Sequence, residues 1–148
     1  MKLLILTQII DTNDDVLGFM HGWVEEFARN CESVVVVCLK KGEYNLPKNV
    51  KVLSLGKEKN YGLLKKIKYS YNFYRFIWQE RKNYDTVFVH MNYEYVVLGG
   101  IFWRLLGKKI GLWYAHGHAP FGLKIAEKFA DVIFTSTQSG FRLSSKKL

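Results

Sequence analysis

Short apolar runs rich in β-branched residues alternate along the chain with stretches of helical period. Residues 34–39 (VVVVCL) are apolar without interruption, as a strand covered on both faces is. Residues 3–7, 86–90, 109–114 and 132–135 are shorter runs of the same kind, and residues 50–55 alternate, which predicts a strand nearer a sheet edge. Between them, residues 16–29 carry Leu17, Met20, Val24 and Phe27 at helical spacing. Residues 63–82, 93–106 (closed by Gly107) and 123–130 are the other predicted helices. Strands alternating with helices predict an α/β fold: a three-layer, Rossmann-like domain whose mainly parallel sheet of about six strands has helices on both faces.

In such a sheet ligands bind beyond the carboxyl ends of the strands. That rule selects the loops after Thr7, His90 and Tyr114, and polar residues gather there. The first loop holds Asp11, Asn13, Asp14, Asp15 and Gly18; Asp14 or Asp15 is expected to cap the following helix, and Asp11 is a candidate for binding hydroxyl groups. Ser136, Thr137 and Ser139 read first as helix-start capping residues. His116 and His118 lack a third ligand at useful spacing, so no metal site is expected. No G-x-G-x-x-G follows the first strand, which argues against a dinucleotide-binding domain, and no cofactor is implied.

Charge changes the picture in one place. The 148 residues carry a formal charge of +9, and residues 40–82 hold twelve basic side chains against three acidic ones, so the whole excess lies there. Such a local field attracts anions. Within it, Leu64, Ile67, Tyr71, Tyr74 and Trp78 form an apolar and aromatic stripe expected to face the sheet, and Phe73, Phe76 and Ile77 widen it. Lys65, Lys68, Asn72, Arg75, Gln79 and Lys82 follow one position on. This arrangement suits a solvated helix or one docked on an anionic membrane through Lys65, Lys68, Tyr71, Arg75 and Trp78. Single-stranded nucleic acid would suit it too, but no nucleic-acid-binding signature is present and none is expected as a partner. Cys31 and Cys38 make neither a disulfide framework nor a metal motif; a buried free thiol at Cys38 and a cytoplasmic setting, at most peripheral on the inner face of a membrane, are expected. The first apolar run is too short for a signal peptide, and residues 95–103 fall well below the roughly 20 needed to span a bilayer.

The ordered set MKLLILTQ, GFMHGWVEEFAR, DTVFVHMN, EYVVLGGIFWRLLGKK, IGLWYAHG and ADVIFTSTQSGFR resembles the N-terminal domain of family-4 glycosyltransferases, retaining enzymes of the GT-B fold, over nearly all of the chain. The resemblance implies a single N-terminal, acceptor-side domain over residues 1–148, taking part in transfer of a sugar from a nucleotide-sugar to an acceptor, soluble or lipid-linked. It implies that His116 faces the reaction cleft as the catalytic residue, contacting acceptor hydroxyls or the transferring sugar, and that His90, Asn92, Gly117, His118, Asp11 and Gly18 shape the substrate site. The family's Gly-Gly pair in the first loop is here reduced to Gly18. The donor-binding C-terminal domain is expected to lie outside this chain, in a longer protein or a partner subunit, leaving little transfer by this half alone. The rival expectation is a non-catalytic, membrane-docked subunit that recruits a donor-binding partner.

Overall fold

The computed structural model describes residues 1–148. The elements run β1 (Lys2–Ile10), α1 (Phe19–Asn30), β2 (Ser33–Lys41), β3 (Val50–Ser54), α2 (Lys65–Gln79), β4 (Thr86–His90), α3 (Tyr93–Leu105), β5 (Lys109–Trp113), α4 (Phe121–Phe129) and β6 (Val132–Phe134). Single 3-10 turns occupy Gly62–Leu64 and Gln138–Gly140. The strands follow the order β3-β2-β1-β4-β5-β6 in one six-stranded parallel sheet with helices on both faces, the predicted Rossmann-like class. The chain divides into two compact units, Met1–Asp85 and Thr86–Leu148.

In the first unit, β2 pairs in parallel with β1 (Leu3 opposite Val34) and with β3 (Cys38 opposite Ser54). Five consecutive residues of β1, Leu3 to Thr7, and five of β2, Val34 to Cys38, are all buried. Successive side chains point to opposite faces, so both faces are covered, which is why these runs carry no polar alternation. Helix α1 buries Met20, Val24 and Ala28 and packs on β1 and β2. Cys38 is fully buried, and burial pushes its thiol up to about 12, leaving it protonated and unreactive.

Helix α2 departs from expectation. The stripe Leu64, Ile67, Tyr71, Tyr74 and Trp78 is exposed, and the residues buried by α2 are Phe73, Phe76 and Ile77. Both sets have helical spacing, so periodicity alone could not choose between them. The packed set lies in the last two turns, where Tyr84 Oη donates to the Ile77 carbonyl at 2.9 Å and Glu80, 5% exposed, takes Lys51 Nζ at 2.6 Å. From Gly62 to Asn72 no residue is buried.

In the second unit, β5 pairs in parallel with β4 (Phe88 opposite Gly111) and β6 (Leu112 opposite Ile133). Helix α3 packs on β4, β5 and α4. A Cβ at Gly100 would fall 2.6 Å from the Phe129 ring, so this glycine lets α3 and α4 approach. Beyond β6, the Lys147 carbonyl accepts the Ile133 N–H at 2.7 Å, and Lys147 Nζ donates to the Glu127 carbonyl in the last turn of α4 at 2.6 Å.

Candidate functional site

The loop after β1 begins later than expected, because the strand continues to Ile10 and includes Gln8. Helix α1 in turn starts at Phe19, after a turn over residues 12–18. Asp14 therefore does not cap α1: its Oδ1 accepts the N–H groups of Val16 (3.0 Å) and Leu17 (2.7 Å), closing the preceding turn. Those two bonds hold its carboxyl below the usual value. The residue at the start of α1 is Gly18, which supplies no side-chain cap, and Asp15 is exposed. Asp11 Oδ1 accepts the Asn13 N–H at 3.0 Å, and its carboxylate lies where a Cβ on Gly42 would collide with it. Asn13 Nδ2 donates to Glu43 Oε2 at 3.0 Å, and the Thr12 N–H donates to the Glu43 carbonyl at 2.8 Å. A Cβ at Gly18 would stand 2.6 Å from the Asp14 carbonyl. In this loop Asp11, Asp14 and Gly18 are occupied by the turn itself, while Asp15 is exposed.

The strand ends of the second unit are built differently. His90 closes β4 and is 3% exposed; burial pushes its imidazole down to about 4, so it is neutral at physiological pH. Met91 follows with φ of 63°, a left-handed conformation uncommon outside glycine. Its N–H donates to the Trp113 carbonyl at 2.7 Å, and its Sδ accepts the Ala115 N–H at 3.4 Å. Met91 thereby joins the end of β4 to the loop after β5. Asn92, half-buried, precedes α3; its N–H donates to the His90 carbonyl at 2.8 Å and its side chain makes no capping bond.

The loop after β5 is held from three sides. Besides the Met91 contact, the His116 N–H donates to the Gly140 carbonyl at 2.9 Å and Tyr114 Oη donates to the His118 carbonyl at 2.8 Å. Tyr114 is itself packed edge-on against Tyr93 (6.1 Å) and Phe141 (6.3 Å), and its ring lies 6.4 Å from that of His116. Burial raises the phenols of Tyr93 and Tyr114, and the nearby Glu94 charge adds to both shifts. A Cβ at Gly122 would touch the Tyr93 ring at 2.6 Å, so the aromatic group sits close over the start of α4. The backbone is thus fixed, while the side chains of His116 and His118 and the glycine between them stay exposed. A fixed backbone carrying exposed imidazoles can hydrogen-bond hydroxyl groups through ring nitrogens that donate or accept.

Two residues of this region were not singled out in the sequence. Arg142 is exposed, and its Nη2 lies 3.5 Å from the place a Cβ on Gly117 would take. Met91 gave no signal at all, since nothing in a sequence marks a left-handed methionine. Ser136, Thr137 and Ser139 do not cap a helix of any length: Thr137 precedes the single turn Gln138–Gly140 without a side-chain cap, and its Oγ1 lies 3.1 Å from Ser139 Oγ. The stripe on α2 leaves Tyr71 and Trp78 exposed beside Lys65, Lys68 and Arg75, with the Arg75 guanidinium 5.9 Å from the Tyr71 ring and Arg81 stacked 4.0 Å over Trp78. No helix is long and apolar enough to cross a membrane, and no group of three or more metal-ligating side chains is gathered anywhere in the chain.

No protein-family model matches this sequence, and no curated protein does. Solved structures do match. HepE of Anabaena, in complex with UDP, superposes with a TM-score of 0.61 at 14% identity, over 95% of this chain and 39% of that one. MurG of Acinetobacter baumannii gives 0.59 at 14% identity, over 97% and 44%. UDP-GlcNAc 2-epimerase of Methanocaldococcus jannaschii gives 0.58 at 15% identity, over 95% and 40%. The chain spans less than half the length of each of these proteins. At such identities the likeness is one of fold, and the fold is the Rossmann-like half of a GT-B architecture.

Proposed function

We propose that this chain is the acceptor-binding half of a glycosyltransferase that moves a sugar from a nucleotide-sugar to an acceptor, a retaining enzyme of the family-4 type. The observation that carries the reading is the loop after β5, where a backbone held by Met91, Tyr114 and Gly140 presents His116, Gly117 and His118 to solvent. Support also comes from the fold shared with HepE, whose structure contains UDP. In this reading His116 contacts the acceptor hydroxyl or the transferring sugar, and Gly117 and His118 line the same loop. His90 and Asn92 shape the floor at the end of β4, His90 as a neutral imidazole. Asp11 and Gly18 enter through the conformation of the β1 loop. The donor's diphosphate, which can accept the proton of the acceptor hydroxyl as it departs, is held by a second domain of the same protein or of a partner.

The test is transfer of labelled glucose and N-acetylglucosamine from their UDP derivatives, by this chain alone and by this chain combined with a donor-binding α/β half. Transfer only in the combination is the expected result. Transfer that does not need this chain would refute the reading.

A second reading is favoured by one observation. The face of α2 bearing Leu64, Ile67, Tyr71, Tyr74 and Trp78 is exposed within the most basic part of the chain. Aromatic and basic residues on one helix suit an anionic lipid surface, each Lys or Arg contributing about 1 kcal/mol. The chain would then dock peripherally on the inner face of a membrane, bringing the acceptor site to a lipid-linked acceptor or acting as a subunit that recruits its catalytic partner. Salt-sensitive binding to anionic vesicles, lost on charge reversal of Lys65, Lys68 and Arg75, is expected; binding unchanged by that reversal removes this reading.

A further inference from the structure

We infer that the loop after β5 and the segment after β6 form a subsite for a phosphate or diphosphate group, with the Arg142 guanidinium as its cation, the His116 and His118 rings as N–H donors and Thr137 and Ser139 as hydroxyl donors. The inference rests on the acceptor-side reading and adds to it that the acceptor is phosphorylated.

Arg142 is placed by its neighbours. Phe141 is 3% exposed and packs edge-on against Tyr114, and the buried Gly140 takes the His116 N–H, so residues 140–142 and 115–118 are stitched together. A Cβ at Gly140 would stand 2.6 Å from Thr135 Oγ1, which ties the same segment to the end of β6. The guanidinium lies over Gly117, the one residue of the loop with no side chain to cover it. The Arg142 guanidinium has no carboxylate beside it. Of the acidic residues in the unit, Glu127 is engaged by Ser145 and Lys147, and Asp131 by Arg104 and the Ile110 N–H. Glu94 acts on Tyr93 and Tyr114. Arg142 makes neither an ion pair nor a hydrogen bond.

The donor set matches phosphate. A guanidinium offers paired N–H groups in a fork that fits two phosphate oxygens, and its charge persists at any physiological pH. Two exposed imidazoles on a fixed loop add ring N–H donors beside it. The exposed Thr137 and Ser139 hydroxyls lie 3.1 Å apart on the same segment, flanking Gln138. Phosphate of this kind could come from a lipid-borne headgroup or a soluble phosphorylated sugar, and the chemistry of recognition is shared.

The probe is inorganic pyrophosphate, titrated into the isotopically labelled chain while backbone amide and arginine Nε resonances are followed. Saturable shifts confined to residues 116–118 and 137–142 are expected, with affinity weakened about tenfold or more in Arg142→Gln. Gly117→Asp sets a carboxylate beside the guanidinium, where a Cβ meets Arg142 only at an ordinary 3.5 Å, and should weaken binding as much without disturbing the fold. Melting curves of both variants show whether the fold is retained. Vesicles of phosphatidylcholine with and without phosphatidic acid then identify the source. Perturbation of the same residues by phosphatidic acid assigns a lipid-borne phosphate, and response to pyrophosphate alone assigns a soluble one. Equal pyrophosphate affinity in wild type, Arg142→Gln and Gly117→Asp overturns the subsite, as do shifts centred on Lys65, Lys66 and Lys68. Such a failure leaves the sugar-transfer reading standing, because the combination assay does not depend on pyrophosphate binding.

Discussion

The loop after β1 and the loop after β5 were selected by the same rule, since both follow parallel strands and both are rich in polar residues. They turn out to differ in what those residues are doing. In the β1 loop Asp11, Asn13 and Asp14 each satisfy a backbone N–H or a neighbouring side chain, and Gly18 is small because the Asp14 carbonyl leaves no room. In the β5 loop the fixing bonds come from the backbone, from Met91 and from Tyr114, so the imidazoles of His116 and His118 remain exposed. A polar cluster at a strand end marks a binding site when its polar atoms are left over after the local structure has been satisfied.

The largest effect expected from this contrast concerns acid. His90 ends β4 and is buried, and its folded pKa of about 4 is below the usual 6.5. Between those values the unfolded chain takes up a proton that the folded chain refuses, so stability present at neutral pH is lost as pH falls from about 6.5 to about 4. The full loss is on the order of 3 kcal/mol, and His90→Leu should flatten that limb in urea melts at stepped pH. Asp14 acts in a different window. Its lowered pKa gives stability that is complete above the ordinary carboxylate value of 3.8 and lost as pH falls through the folded value. Asp14→Ala should therefore lower the melting midpoint at neutral pH, with the gap closing only in strong acid.

Glycine substitutions sharpen the contrast further. Gly18→Ala forces a Cβ to within 2.6 Å of a backbone oxygen and should cost about 1–3 kcal/mol by urea denaturation. Gly117→Ala meets nothing nearer than the flexible end of Arg142 at 3.5 Å and should stay within about 0.5 kcal/mol of wild type. Comparable losses at both positions would mean that the two loops are built alike. The smallest effect is expected on α2: Ile67→Ser, at a position 67% exposed, should leave the melting midpoint nearly unchanged, whereas Phe73→Ala should cost about 3 kcal/mol or more.

The strands were readable because covering both faces of a sheet removes polar alternation, and residues 34–39 show that most plainly. The face of α2 was not, because the helix carries two apolar sets at helical spacing, and the contacts beside the buried set, Tyr84 on the Ile77 carbonyl and Lys51 on Glu80, come from elsewhere in the sequence. His90, His116 and His118 were visible as polar residues at strand ends. Their opposite burial was not, since it depends on the packing of neighbouring elements. Arg142 was hidden for a similar reason: it comes beside Gly117 through the His116–Gly140 hydrogen bond and the packing of Phe141 on Tyr114, which no local pattern announces.

The central claim is that ligand chemistry belongs to the loop after β5 while the loop after β1 is scaffolding. It is tested most directly by measuring sugar transfer, in the combination with a donor-binding half, for His116→Gln and Asp11→Ala beside their melting midpoints. His116→Gln is expected to lower kcat/KM about 100-fold with an unchanged midpoint, and Asp11→Ala to lower the midpoint with transfer within about twofold of wild type. Loss of transfer in Asp11→Ala at an unchanged midpoint, with full activity in His116→Gln, would contradict it.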